Sequence, residues 1–150
     1  MKCVITTPLG DMICEERCGA LVSLRFAGAG ESGMLPPPSG ELEKRTADWL
    51  RRYFAGEAPA CDLPLELSGS AFQRRVWQAA SEVSYGQTTS YGEIARRIGC
   101  GSARAVGAAL AKNPIWILIP CHRVLGADGT LTGYAGGLEK KAALLALEQN

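Results

Sequence analysis

Over the first third of the chain, apolar and polar residues alternate and the alternation breaks at turn residues. Residues 2–6, 12–16 and 20–26 read as strands, separated by Pro8-Leu-Gly-Asp11 and by Cys18-Gly19, which predicts a three-stranded antiparallel meander. The period then changes. Leu42, Thr46, Trp49, Leu50 and Tyr53 recur at helical spacing, with Gly56 as a stop. Residues 58–69, rich in proline and small side chains, read as a linker and divide the chain into domains 1–66 and 67–150.

Helical signals dominate after the linker. Ser70-Ala-Phe-Gln73 has the form of a capping box, followed by an apolar face of Phe72, Val76, Ala79, Ala80 and Val83. Ser90-Tyr-Gly-Glu93 is a second such box, opening a short helix with Tyr91, Ile94 and Ile98 on one side. Gly99-Cys-Gly101 is a tight turn, Ser102 caps the next helix and Asn113-Pro114 ends it. Helix, glycine-containing turn, helix is the pattern of a helix-turn-helix. In the second of these helices Ala103, Val106 and Leu110 form the apolar stripe. Arg104, Gly107, Ala108 and Ala111 form another face, small and nearly flat. Such a face suits either a nucleic-acid groove or close packing against another helix.

Residues 115–119, all apolar, read as a buried strand that delivers Cys121 beside His122, the only histidine of the chain. A free thiol holds little thiolate at neutral pH, so a histidine, a cation or a helix N-terminus must activate it. Neighbours on an extended strand point to opposite faces, which predicts that His122 reaches the thiol through a water. Gly126-Ala-Asp-Gly129 reads as a hairpin turn between two short strands, and residues 132–137 as a glycine-rich loop carrying Tyr134. The last helix shows Leu138, Ala142 and Leu145 on one face, with Glu148 continuing the register. A carboxylate on an apolar face needs a partner, and His122 is the candidate; the alternative is a solvated position near the chain end. A Glu148–His122–water–Cys121 relay would follow triad logic.

Composition changes this picture in two places. A chain of 150 residues, 47% hydrophobic, buries a real core. The net charge of +1 conceals an asymmetry. Residues 1–70 carry 7 Lys/Arg against 10 Asp/Glu, and residues 71–150 carry 9 against 5, placing excess positive charge around the candidate thiol. That charge fits a polyanionic partner as well as a solvated basic face. The six cysteines include no C-x-x-C pair and no signal peptide is evident, pointing to free thiols in a reducing cytoplasm. No apolar run is long enough for a membrane span. Gly28-Ala-Gly-Glu-Ser-Gly33 matches a dinucleotide-binding fingerprint, but it runs into Leu35-Pro-Pro-Pro38 instead of opening a helix, so it reads as a surface loop.

With these residues assembled, the second half resembles the O6-alkylguanine-DNA alkyltransferases. The similarity is carried by Tyr85-Gly-Gln-Thr-Thr-Ser-Tyr-Gly-Glu-Ile-Ala95, Ala103-Arg-Ala-Val-Gly-Ala-Ala108, Asn113-Pro114, Ile119-Pro-Cys-His-Arg-Val124 and Gly133-Tyr-Ala-Gly-Gly137. The resemblance implies an α+β chain, with a small ribonuclease-H-like N-terminal domain followed by a winged-helix, helix-turn-helix domain. It implies that Cys121 accepts the alkyl group, with His122 as base, Glu148 orienting it, Asn113 bracing the turn and Tyr134 helping to protonate the departing guanine. Arg104 would enter the base stack from a minor-groove helix, Tyr91 would press on a phosphate, and Ala103, Gly107, Ala108, Ala111 and Arg123 would complete the DNA-binding surface. Tyr134, Ala135 and Val124 would form the base pocket. The implied partner is double-stranded DNA containing O6-alkylguanine, bound by a monomer without cofactor or metal, with alkylated thymine left open as a substrate. A damage sensor without chemistry is a competing reading that the presence of Cys121 disfavours. A redox-switched regulator is another, and it leaves Tyr134 and Glu148 without a role.

Overall fold

The computed structural model describes residues 1–149, which form mixed α and β structure in two compact units, Met1–Leu67 and the stretch from Ser68 onward. In the first unit, β1 (Lys2–Thr7), β2 (Gly10–Arg17) and β3 (Ala20–Phe26) make an antiparallel sheet in that order. Both edge strands are covered by irregular chain. Val4 N–H donates to Pro36 O at 2.9 Å along β1, and Leu21 N–H donates to Pro64 O at 2.8 Å along β3. The proline-rich stretches thereby occupy edges that would otherwise template further pairing. Helix α1 (Glu41–Phe54) buries Leu42, Thr46, Trp49, Leu50 and Tyr53, the periodic residues of the sequence. Its first turn is closed by Glu43, whose Oε1 accepts from the N–H groups of Ser39 and Gly40, each at 3.0 Å. Cys3 and Cys14 face one another across β1 and β2, fully buried.

The second unit holds α2 (Ala71–Ser81), β4 (Thr89–Ser90), α3 (Tyr91–Arg97), α4 (Ala103–Ala111), β5 (Val124–Leu125) and α5 (Leu138–Glu148). All three serines cap their helices, but of the two predicted capping boxes only that of Ser70 is complete, because the Glu93 carboxylate pairs with Arg96 instead of returning to Ser90. Ser70 Oγ accepts from Gln73 N–H and Gln73 Oε1 from Ser70 N–H, while Ser90 and Ser102 cap α3 and α4 through Glu93 and Ala105 N–H, each at 3.1 Å. Trp77 ties α2 to α4 through a 2.9 Å bond from its indole N–H to Ala109 O. Gly69 leaves room for that ring, since a Cβ there would lie 2.6 Å from it. Burying a side chain of this kind contributes on the order of 1.5–3 kcal/mol.

Four sequence expectations are corrected. Residues 115–119, buried except for the half-buried Trp116, form no strand; Ile119 N–H folds back to Ile115 O at 3.1 Å, and Ile117 takes a positive φ of 71°. The Gly126–Gly129 turn forms but does not join two paired strands, because β5 pairs in parallel with β4. In α4 the buried stripe is Val106, Ala109 and Leu110, while Ala103 is exposed. In α5 it is Lys141, Leu144 and Glu148; Leu138 is 47% exposed, and the expected face was one register away except at Glu148. Among the described residues no helix is long and apolar enough to cross a membrane.

Candidate functional site

Asn113 organises the turn that carries the thiol. Its Nδ2 donates to Ile119 O at 2.9 Å and to Cys121 Sγ at 3.1 Å, and its Oδ1 accepts from Ile115 N–H at 3.0 Å. One side-chain amide therefore fixes both ends of residues 113–121. A β-branched residue at positive φ, as at Ile117, is strained by about 1–3 kcal/mol and persists only where its surroundings over-determine it. Pro120, at φ −81° and ψ 63°, forms an inverse γ-turn, with Cys121 N–H donating to Ile119 O at 2.8 Å. Cys121–Arg123 is then a single 3-10 turn. Three residues per turn send successive side chains about 120° apart. An extended chain would place them on two opposite faces, so the turn replaces the expected strand geometry around the thiol.

Cys121 looks outward. It keeps 7% of its surface and forms the floor of a cleft of about 660 Å³. One wall is α4, through Ala103, Arg104, Gly107 and Ala111; the other comprises Tyr91, Trp116 and residues 132–135. Trp116 and Tyr134 pack with ring centroids 5.7 Å apart. The Tyr134 hydroxyl is buried with no hydrogen-bond partner among the described residues, which is costly unless an occupant of the cleft supplies one. Burial, and secondarily the nearby sulfur, hold its pKa well above the usual phenol range, so it remains a donor.

His122 and Arg123 look inward. His122 is fully buried, with Nε2 2.6 Å from Glu148 Oε2. An ionised Glu148 assigns the Nε2 proton to that bond and leaves Nδ1 as the basic nitrogen. Arg123 donates from Nε to Glu148 Oε1 at 2.8 Å, from Nη2 to Oε2 at 3.1 Å, and from Nη1 to Val83 O at 2.7 Å. With 8% exposure it does not face the surface, which corrects its expected place in the DNA-binding set. The physical reason is Glu148: a buried carboxylate left without a cation would be strongly destabilising.

Burial pushes the Cys121 thiol up to about 11, against Asn113 and Lys141, which favour the thiolate. Burial also lowers the imidazole, against the pull of Glu148. The resting pair is thus a thiol beside a neutral base, and the proton must move during reaction.

Lys141 escaped sequence reasoning. Its fully buried ammonium donates to Val124 O at 2.7 Å, Thr132 O at 2.8 Å and Gly133 O at 3.3 Å, and lies 3.4 Å from Tyr91 Oη. Tyr91 Oη in turn donates to Thr132 O at 2.7 Å. The glycine-rich loop is thereby fastened to the thiol-bearing turn. The available signal was its position, three residues before Leu144 and seven before Glu148.

The structure brings Cys121, His122, Glu148, Asn113 and Tyr134 together. Arg104, Ala103, Gly107, Ala111, Tyr91 and Ala135 line the same cleft, whereas Ala108 lies outside it on the exposed side of α4. Val124 is fully buried, and one lone pair of its carbonyl is engaged by Lys141.

Comparison with known proteins agrees with this geometry. The model of the 6-O-methylguanine DNA methyltransferase DNA-binding domain matches residues 71–150. A methylated-DNA–protein-cysteine methyltransferase of Mycobacterium bovis is 57% identical, the match covering 97% of this chain and 90% of that protein. A protein of the same description from Mycolicibacterium paratuberculosis is 47% identical over the same shares. Among solved structures, Mycobacterium tuberculosis OGT in complex with DNA superposes with a TM-score of 0.89 at 45% identity, over 99% of this chain and 92% of that one. Taken with the cleft and its thiol, these matches place the chain in the methylated-DNA–protein-cysteine methyltransferase family.

Proposed function

We propose that the protein repairs DNA by direct reversal, moving the alkyl group of O6-methylguanine to Cys121 in a single turnover. The observation that carries this reading is the placement of the sulfur: at the floor of a cleft with room for a base, held by Asn113, with a buried His122–Glu148 pair behind it. An alkyl group inside a duplex is shielded from attack, so the nucleotide must leave the stack, which costs a few kcal/mol and less when it is mispaired. The Sγ–carbon bond forms as the carbon–O6 bond breaks, the thiol proton passes to the imidazole through water, and the departing guanine takes a proton, with Tyr134 as donor. The thioether product is stable, so each molecule acts once and needs no cofactor.

The exposed face of α4 is the part offered to duplex DNA, in the minor groove, with Arg104 filling the space of the displaced base and Tyr91 against the adjacent phosphate. Ala135 and the carbonyl of Val124 would contact the base. In this reading the sheet unit is ribonuclease-H-like, the second unit is a winged helix-turn-helix, and the protein works as a monomer. The test is incubation with a duplex carrying O6-methylguanine, followed by peptide mass spectrometry. One methyl group per protein, on Cys121, is expected. Lesion-selective binding without an adduct would instead make the protein a damage sensor.

A further inference from the structure

We infer that Arg123 is a positioning residue for this transfer: from inside the fold it holds Glu148 as an anion and His122 as a neutral proton acceptor, and it takes no part in gripping DNA. The inference rests on the alkyl-transfer reading above. Its geometry is that of a fork. Two nitrogens of one guanidinium reach the two oxygens of Glu148 at 2.8 and 3.1 Å, and the third anchors to Val83 O at 2.7 Å, just beyond the end of α2. Glu148 Oε2 is shared between that fork and His122 Nε2. Displacing the guanidinium would therefore displace the carboxylate that aims the imidazole.

Charge gives the same answer. The groups around the imidazole are Glu148 and Lys141 from α5, Arg123 from its own turn and the Cys121 thiol; the Tyr85 ring lies beneath the guanidinium, 5.8 Å from centroid to Cζ. Two cations already face one carboxylate, so a third charge on the imidazole is disfavoured. Without Arg123, a buried carboxylate beside a histidine has one inexpensive way to be neutralised, which is to hold a proton on the ring. An imidazolium cannot take the proton that Cys121 must release as its bond to the alkyl carbon forms and the carbon–O6 bond breaks.

The experiment is the single-turnover rate of methyl transfer from an O6-methylguanine duplex, followed against pH. In Arg123→Met the acid limb should move up by about one pH unit or more, with a rate up to about tenfold lower along that limb. Arg123→Gln, which keeps donors and drops the charge, should show the same displacement and serves if the methionine variant does not fold. Arg123→Lys should restore the wild-type limb. Adding Glu148→Gln to Arg123→Met removes the proton trap and should return the limb toward its original position even if the rate stays low. DNA affinity and its salt dependence should be unchanged throughout. A rate loss with an unmoved pH profile would reduce Arg123 to scaffolding, and a salt slope shallower by about one charge would return it to the DNA interface. Failure of the underlying transfer reading would look different: the wild-type protein would carry no S-methyl Cys121 at any pH.

Discussion

The α4 wall of the cleft and the buried layer behind its floor are built on opposite principles. The α4 wall is made of Ala103, Arg104, Gly107 and Ala111, three of them without a polar side chain and the fourth an exposed cation. Behind the cleft floor, Asn113, His122, Arg123, Lys141 and Glu148 are all buried and held by hydrogen bonds and ion pairs. A surface that must take up and release a large ligand gains from being small and uncommitted. A reacting centre gains from groups already fixed in place, since nothing then has to reorganise during the reaction. In the reading proposed above, chemistry belongs to the buried layer and grip to the α4 wall.

Substitutions can separate these roles. The largest expected effect is at the sulfur: Cys121→Ser should abolish transfer, measured by adduct mass spectrometry, and leave DNA binding intact. Next is Glu148→Ala, which strands Arg123 and His122 and should cost about 3–5 kcal/mol of stability in denaturant unfolding, together with most of the transfer rate. On the α4 wall, Arg104→Ala should slow duplex repair by about tenfold or more and lower the salt slope of binding by roughly one, with much less effect on a free alkylguanine base. Equal losses on both substrates would merge the two regions into one function.

Two smaller effects concern protons and exposed thiols. Burial holds the His122 imidazole below its ordinary value, so between the folded pKa and about 6.5 the unfolded chain binds more protons, and stability falls as pH drops through that window. The Cys121 thiol shifts the other way, from 9.0 to about 11, so its contribution is full below 9 and is lost as pH rises toward 11. Unfolding measured across both windows should show both slopes. Brief iodoacetamide treatment at neutral pH should label the exposed Cys18 and Cys61 well before the buried Cys3 and Cys14, with no loss of repair.

Much of this architecture was readable from the residues. Alternation and helical spacing are local properties, so the sheet, α1 and the serine caps appear where periodicity and turn chemistry put them. Cys121, His122 and Glu148 were named by type and spacing, Asn113 through the family resemblance alone, and the structure joins them. What could not be read were long-range partners. Arg123 and Lys141 look like surface cations until α5 and the glycine-rich loop are folded over them. In α5 the buried stripe contains a lysine and a glutamate, while Leu138 lies in solvent, so hydrophobicity points to the wrong face. Residues 115–119 show the same limit. A five-residue apolar run is compatible with a strand or a buried turn, and the contacts of Asn113 decide for the turn.

The single 3-10 turn also governs how this part of the gene can change over time. Rotating one residue by a third of a revolution would swing the sulfur into the interior and drive a guanidinium or an imidazole into the cleft. Point replacement is therefore the only variation open to residues 119–124, because an insertion or deletion of a single codon misdirects three side chains at once. Length polymorphism belongs instead to the segment from Gly126 to Thr130, where the backbone closes on itself through a 2.9 Å bond and additional residues would extend into solvent.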